Sequence, residues 1–178
     1  METARSTNGG LALVPVLLVS LLAGCSYLPS NPFTREPEIS IEDQSPQQIF
    51  LSDEALLADG RPRDAGETFA EVERLYPYSE WAKRAMLMSA FAYHEGALYA
   101  ESRAAAGRYL DFFPADVDAP YAQFLIGLSY YDQITDIGRD QSNTFEALQE
   151  MRDIIERYPD SEYAQSAQLK FELALDHL

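Results

Sequence analysis

The chain has 178 residues, enough for one domain and a leader segment, and 47% of them are hydrophobic, so a packed core is available. Its 13 basic and 29 acidic residues leave a formal charge of −16, which disfavours nucleic acid and anionic lipid headgroups as partners. The single cysteine excludes an intramolecular disulfide, and with only two histidines beside it the usual zinc ligand sets are out of reach.

The first predicted element is a lipoprotein signal peptide over residues 1–24. Residues 11–22 form an apolar run that suits a signal peptide and is too short to span a bilayer. The run ends in Leu22-Ala23-Gly24-Cys25, which resembles the lipobox of bacterial lipoproteins. That resemblance implies cleavage before Cys25, a diacylglycerol on its thiol and an acyl chain on the new amine. The alternative is a secretory leader with an incidental cysteine.

Lipidation at Cys25 would hold the domain on a membrane without a spanning helix, because a single acyl chain binds only marginally and additional chains make the anchor stable. No other cofactor is expected. By resemblance to enterobacterial sorting, Ser26, being a residue other than Asp, favours the outer membrane. The segment 25–45 is predicted to be the lipidated cysteine and a flexible tether, since Pro29, Pro32 and Pro37 stand among polar residues without sustained periodicity.

Residues 46–178 are predicted to form an all-α domain of helical repeats. Ser45, Pro46 and Gln48 have the types and spacing of a helix start with a capping box. A closing phrase then occurs three times, as Leu75-Tyr76-Pro77, Phe112-Phe113-Pro114 and Arg157-Tyr158-Pro159. A period near 34 residues with a closing proline resembles the tetratricopeptide repeat, a helix–turn–helix unit.

Counting back from each closing proline assigns the internal positions of about three and a half such units. Gly60 falls at the turn between two helices, Ala65 at a close helix crossing and Phe69 at the core position of a second helix. The third unit has Met151 at that core position and a long loop over residues 133–143. A fourth unit begins at residue 163 and shows apolar positions at helical spacing to the last residue, so the domain is expected to be C-terminally truncated.

These features together resemble the BamD family of outer-membrane assembly lipoproteins. A lipobox is followed by a Pro-rich tether and by repeats closing in Tyr-Pro-x-Ser-Glu-Tyr/Trp-Ala; the third unit runs YAQFLIGLSYY over residues 121–131 and is followed by GRDQ over residues 138–141. The resemblance implies a non-enzymatic scaffold anchored in the outer membrane by lipid, facing the periplasm. Its implied partners are BamA, other subunits of the assembly complex and unfolded outer-membrane barrel proteins.

The family usually has five repeats, and the later ones are thought to dock BamA while the earlier ones meet the unfolded client. The resemblance therefore implies that this chain contains the client-binding repeats and lacks most of the BamA-docking surface. The implied client segment is the C-terminal strand of a barrel protein, which ends in an aromatic residue.

The first helix of each unit is expected to line the concave face, where aromatic side chains suit an extended apolar peptide. Phe50, Leu57 and Leu87 fall on this face by the same counting. The alternative for all these positions is core contact with a neighbouring helix. The residues predicted to bind the client are Phe91, His94, Tyr121, Phe124, Leu128 and Tyr131.

The sequence has no catalytic constellation, with neither a phosphate-binding glycine loop nor a nucleophile elbow. Glu95, Asp132 and Asp136 stand near the ends of first helices, either to pair with a basic partner or as a solvated face. Two alternatives to an assembly scaffold remain open: a pilotin-type repeat lipoprotein that escorts a secretin, and a periplasmic regulator of a cell-wall enzyme.

Overall fold

The computed structural model describes residues 40–135 and 140–178. Cys25, the leader and most of the tether lie outside the described residues, as do Asp136 and Gly138 of the long loop. The compact unit of the described chain begins at Ser40, within the segment predicted as tether. A short 3₁₀ helix, Ile41–Asp43, opens it, and Ile41 packs against the first core cluster.

Seven α-helices follow in the described ranges, which contain no strand, and the predicted all-α, tetratricopeptide-like class is confirmed. The helices are α1 Pro46–Ala58, α2 Pro62–Leu75, α3 Glu80–Glu95, α4 Tyr99–Phe112, α5 Ala119–Tyr131, α6 Ser142–Arg157 and α7 Glu162–Leu175. The long loop of the third unit is slightly shorter than predicted, because α6 already begins at Ser142.

Serine side chains start three of these helices. The Oγ of Ser45 accepts a hydrogen bond from the backbone N–H of Gln48, whose side chain returns one to Ser45, so the predicted capping box is present. Ser79 and Ser161 accept equivalent bonds from the residues three positions on, at 3.1 and 3.2 Å. Each cap satisfies a backbone donor that the first turn leaves without a helical partner.

The closing prolines end the second helix of each unit. Tyr76, Phe113 and Tyr158 precede these prolines and have nearly identical backbone angles, with φ between −132° and −131° and ψ of 51° or 52°. A proline disfavours helical angles at the residue before it, which explains why the helix stops there each time. The threefold recurrence of this conformation confirms the repeat that the sequence indicates.

The turn inside each of the first two units needs one residue with a positive φ. Gly60 supplies it between α1 and α2 with φ 73°, whereas Ala97 occupies the corresponding position between α3 and α4 with φ 55°. Glycine adopts this conformation without steric cost, so Gly60 fits the predicted turn position well.

Consecutive helices pack against each other, and the first helices of successive units, α1, α3, α5 and α7, also contact one another. This is the contact pattern of a helical solenoid. Among the residues that the structure describes, the core consists of three clusters in chain order, centred on Phe69, Tyr109 and Met151. Among the helices of residues 40–135 and 140–178, none combines the length and apolarity that crossing a membrane requires.

Candidate functional site

One face of α3 lines two clefts. Arg84, Leu87, Phe91 and Glu95 recur at steps of three and four residues, so they share one side of the helix. A cleft of about 140 Å³ adjoins Arg84 and Leu87, and one of about 380 Å³ adjoins Phe91 and Glu95. The larger cleft is completed by the end of α1, the turn after it and the start of α2, through Leu57, Gly60 and Pro62. We call this surface the α3 groove; it unites Leu57, Leu87 and Phe91 from the predicted concave face.

Phe50 corrects the sequence-based placement, because its side chain belongs to the core. Only 1% of it is exposed, and its ring lies 5.1 Å from Phe69 in an edge-on arrangement and 5.2 Å from Trp81. The guanidinium of Arg84 covers what remains, at 4.8 Å from the Phe50 centroid and 5.0 Å from that of Trp81. The alternative of a core contact therefore holds for Phe50, and a cation on aromatic rings forms that part of the groove surface.

The predicted aromatics of the third unit face the next first helix. Tyr121 and Phe124 of α5 lie against Tyr163 of α7, with ring centroids 5.2 and 5.5 Å apart. Burial, followed by the proximity of Tyr163 and Glu95, raises the pKa of Tyr121 to about 12, so its phenol is neutral at physiological pH.

Tyr131 and Leu128 stand further along the same helix. The Nζ of Lys170 lies 4.3 Å from the centroid of the Tyr131 ring, a cation–π contact between α5 and α7. Leu128 is half-buried, one turn after Phe124. The structure thus divides the predicted set between the α3 groove, which takes Phe91, and the α5–α7 contact, where Tyr121, Phe124 and Tyr131 engage side chains of the next repeat.

His94, near the C-terminal end of α3, lies against Asp132 at the C-terminal end of α5. Its side chain is 11% exposed, and its Nε2 lies 3.1 Å from the Oδ2 of Asp132, close enough for an ion pair when the ring is protonated but not aligned as a hydrogen bond. The ring also packs edge-on against Tyr99 at 5.5 Å. Asp132 therefore has an internal neighbour, whereas Glu95, at 3.9 Å from the Nδ1 of His94 and more than half exposed, remains accessible to a partner.

Sequence reasoning missed Arg84, Tyr163 and Lys170 as contributors to these surfaces. Arg84 stands seven residues before Phe91, two helical turns away, so the spacing could have placed it on the same face. Tyr163 and Lys170 show the same spacing on α7.

A buried carboxylate on α1 was also not among the residues predicted from the sequence. Asp53 is fully buried, and neither carboxylate oxygen accepts a hydrogen bond from a group in the described part of the chain. Burial raises its pKa to about 7, opposed by the neighbouring Ser52 hydroxyl, which itself donates to the Ile49 carbonyl.

Within residues 40–135 and 140–178, no three His, Cys, Asp or Glu side chains are grouped so that they could hold a metal ion. The surfaces assembled here consist of apolar and aromatic side chains with single charges between them, an arrangement suited to binding a polypeptide.

Comparison with known proteins gives one family and a set of relatives. The family model described as "YfiO: Outer membrane lipoprotein" matches residues 42–178. The outer membrane protein assembly factor BamD of Caulobacter vibrioides is 34% identical over 168 residues, which cover 94% of this chain and 53% of the relative. BamD of Rickettsia prowazekii is 34% identical over 123 residues, covering 69% of this chain and 49% of the relative.

A more distant relative, BamD of Xylella fastidiosa strain Temecula1, is 26% identical over 168 residues, with 87% of this chain and 55% of the relative covered. The chain therefore spans about half the length of the curated relatives it matches.

Proposed function

The chain belongs to the YfiO family of outer membrane lipoproteins, and on this premise we propose that it is a scaffold of outer-membrane β-barrel assembly that binds unfolded client proteins. Family membership confirms the predicted localisation at the outer membrane. The relatives named here are assembly factors, so their names give no support to the pilotin or cell-wall regulator alternatives. The absence of enzymatic activity stays part of the proposal.

The proposal that the chain binds clients is supported by the α3 groove. Its cleft of about 380 Å³ places the half-buried Phe91 beside Leu57 and Pro62 on a rigid helix pair, with room for one large side chain of an extended peptide. A barrel strand that ends in an aromatic residue offers such a side chain. Rigid aromatic surfaces bind it at low conformational cost, because few rotamers are lost on both sides.

Arg84 places a positive charge in the α3 groove. Its guanidinium is held on the rings of Phe50 and Trp81, in the same stripe as Phe91. A fixed, exposed guanidinium is suited to a carboxylate, because it presents donors in a planar fork. We assign it to the terminal carboxylate of the client strand.

The remaining partners come to this chain from the family resemblance. Lipid chains on Cys25 would hold the domain at the outer membrane, and BamA with other complex subunits would meet surfaces of the repeats. The surfaces at the α5–α7 contact, with Tyr121, Phe124 and Tyr131 packed on the next repeat, fit a role in holding successive repeats in register while a partner is bound.

The test titrates the full chain, carried in phosphatidylcholine nanodiscs, with a ten-residue peptide copying the last strand of a barrel protein. Calorimetry should show binding that weakens about tenfold when the terminal aromatic is removed and similarly with Phe91→Ala, since a buried aromatic contact contributes about 1.4 kcal/mol or more. Amidating the peptide terminus should weaken binding to the parent chain but not to Arg84→Gln.

Phe145→Ala is the matched control, because Phe145 is an exposed aromatic on α6 away from the groove. Circular dichroism of each variant establishes that it is folded. Equal affinity of the parent and Phe91→Ala for the peptide would refute the groove, and no binding by any folded form would refute client recognition by these repeats.

A further inference from the structure

A third cleft lies at the junction of the first two units. It has a volume of about 670 Å³ and is formed where α2 ends, α3 begins and α4 ends. This is within the range of about 300–1,000 Å³ typical of ligand sites. Its lining residues are mainly apolar and include Pro77, Tyr78, Ala82, Met86, Phe112 and Phe113. We call it the junction cleft; of the residues that line it, only Lys83 also lines a cleft of the α3 groove.

Two aromatic side chains of the junction cleft lie largely outside the core, and Phe112 contacts only the neighbouring Phe113 among the ring contacts of the described residues, at 6.3 Å. Tyr78 is fully exposed and Phe112 is 66% exposed. Aromatic residues close to them in sequence make the structural contacts instead. The Tyr76 hydroxyl donates a hydrogen bond to the Gln44 carbonyl, and the Phe113 ring packs on Tyr109 at 5.3 Å. Exposed aromatic residues that line one cleft are characteristic of binding surfaces.

The next junction shows that the repeat does not require these aromatics. Ala115 follows Pro114 where Tyr78 follows Pro77, and Arg157 stands two residues before Pro159 where Phe112 stands two before Pro114. Both junctions have the same backbone angles before the proline. The aromatic pair is therefore a property of the first junction and has to be explained by something other than helix closure.

The charges around the junction cleft favour a basic occupant. Lys83 is paired with Asp116, whose pKa is held at about 2 by that contact, and Arg108 is paired with Glu73 at 3.1 Å. Glu80 at the rim has no cationic partner in the described ranges, and the chain as a whole carries −16. Aromatic faces attract ammonium and guanidinium groups as well, so Tyr78 and Phe112 add to the preference for cations.

We propose that the junction cleft is a docking site for an extended segment of a partner protein that carries a large apolar side chain beside lysine or arginine. The apolar side chain enters between Tyr78 and Phe112, and the cation lies against Glu80 and the aromatic faces. The site shares only Lys83 with the clefts of the α3 groove and is distinct from the proposed client site, so its test does not depend on the proposed function.

The experiment uses the full chain in phosphatidylcholine nanodiscs and a fluorescein-labelled probe peptide, Gly-Arg-Leu-Trp-Arg-Leu-Gly, followed by fluorescence anisotropy. A second peptide has Glu in place of both Arg residues. We expect the Arg peptide to bind at least tenfold more tightly than the Glu peptide, with the preference reduced by added salt. Phe112→Ala and Tyr78→Ala should each weaken Arg-peptide binding at least fivefold, and Glu80→Gln about threefold.

Matched controls are available within the chain. Phe145→Ala makes the same change as Phe112→Ala at a similar exposure, 59% against 66%. Glu162→Gln makes the same change as Glu80→Gln at the first residue of another serine-capped helix. Both controls should bind the Arg peptide as the parent does.

Three outcomes would overturn the proposal. The first is unchanged binding by folded Phe112→Ala and Tyr78→Ala, and the second is equal binding of the Arg and Glu peptides. The third concerns a second copy of the chain as the occupant. If two differently tagged copies in separate nanodiscs capture each other, and Phe112→Ala but not Phe145→Ala abolishes the capture, the junction cleft is a self-association surface.

Discussion

The first and third repeat units have the same backbone plan but different packing. At the core position of the second helix, eight residues before the closing proline, the first unit has Phe69 and the third has Met151, both fully buried. Phe69 belongs to a group of stiff rings with Phe50 and Trp81. Met151 instead reaches Gly127 of α5 with its flexible thioether.

A second difference lies on the first helix, six residues before its C-cap. The first unit has Asp53 there, fully buried, whereas the second has the buried Ala90 and the third the half-buried Ile126. A carboxylate at an apolar repeat position costs stability when it is ionised, because no described group donates a hydrogen bond to it.

One repeat plan therefore supports both stiff and adaptable packing. Rings held edge to edge permit little rearrangement, whereas a methionine can occupy several shapes of cavity. The stiff unit is also the one that contributes Leu57 and Pro62 to the α3 groove, so the proposed client would bind a surface that is already ordered.

The largest expected effect on stability comes from removing one ring of the aromatic cluster in the first unit. Phe69→Ala should lower the free energy of unfolding by about 3–5 kcal/mol, because it leaves a cavity between Phe50 and α2. Phe145→Ala in the third unit, where the phenylalanine of the second helix is exposed, should change it by less than about 0.5 kcal/mol. Urea unfolding followed by circular dichroism measures both, and similar losses would contradict the contrast between the units.

The buried carboxylate predicts a pH dependence of stability. The pKa of Asp53 is about 7 in the folded chain against an ordinary value of 3.8, so between these values the folded state holds a proton that the unfolded state releases. Its contribution to the free energy of unfolding therefore falls as the pH rises from about 4 to about 7 and is constant above. The full loss is about 4 kcal/mol at most, at about 1.4 kcal/mol per pKa unit.

Asp53→Asn removes this titration while keeping the shape of the side chain. The stability of the variant relative to the parent should rise with pH between about 4 and 7, as measured by urea unfolding at a series of pH values. Glu54→Gln, at the exposed neighbouring position, should show no such trend. A parallel course of the parent and Asp53→Asn across this pH range would mean that the carboxylate is solvated in solution.

Much of the fold could be predicted because its signals are local. The capping box at Ser45 and the proline after Tyr76 act within a few residues, and each confirmed prediction of a helix start or end rests on such a contact. Whether an aromatic residue on the first helix of a unit is buried or partly exposed could not be predicted in this way. Phe50 and Phe91 both fall on the predicted concave face and both border a cleft, yet Phe50 is almost fully buried because α2 and Trp81 cover it, whereas Phe91 is half-buried.

Asp53 shows a second limit of the sequence. A carboxylate on an amphipathic helix is ordinarily solvated, and only the positions of the neighbouring helices bury this one. The junction cleft was missed for a related reason, since Tyr78 and Phe112 are 34 residues apart and come to line the same cleft only through the stacking of the first two units. Lipidation of Cys25 and the role of Asp136 lie outside the described residues and stay predictions.

The smallest expected effect on stability comes from adding one methyl group to a buried glycine in the first unit or in the third. A Cβ on Gly66 would lie 2.7 Å from the Tyr93 ring, which is too close, whereas one on Gly127 would lie 3.1 Å from the terminal methyl of Met151 and 3.2 Å from the Cβ of Glu150. Alanine in a helix interior gains about 1 kcal/mol over glycine, and overpacking costs about 1–3 kcal/mol. Gly66→Ala should therefore destabilise the chain by about 1 kcal/mol. Gly127→Ala should be nearly neutral, because the Met151 methyl can move aside and the contact with the Glu150 Cβ is relieved by a shift of only a few tenths of an ångström. Urea midpoints of the two variants measure the difference, and a larger loss for Gly127→Ala would show that the third unit is the stiffer one.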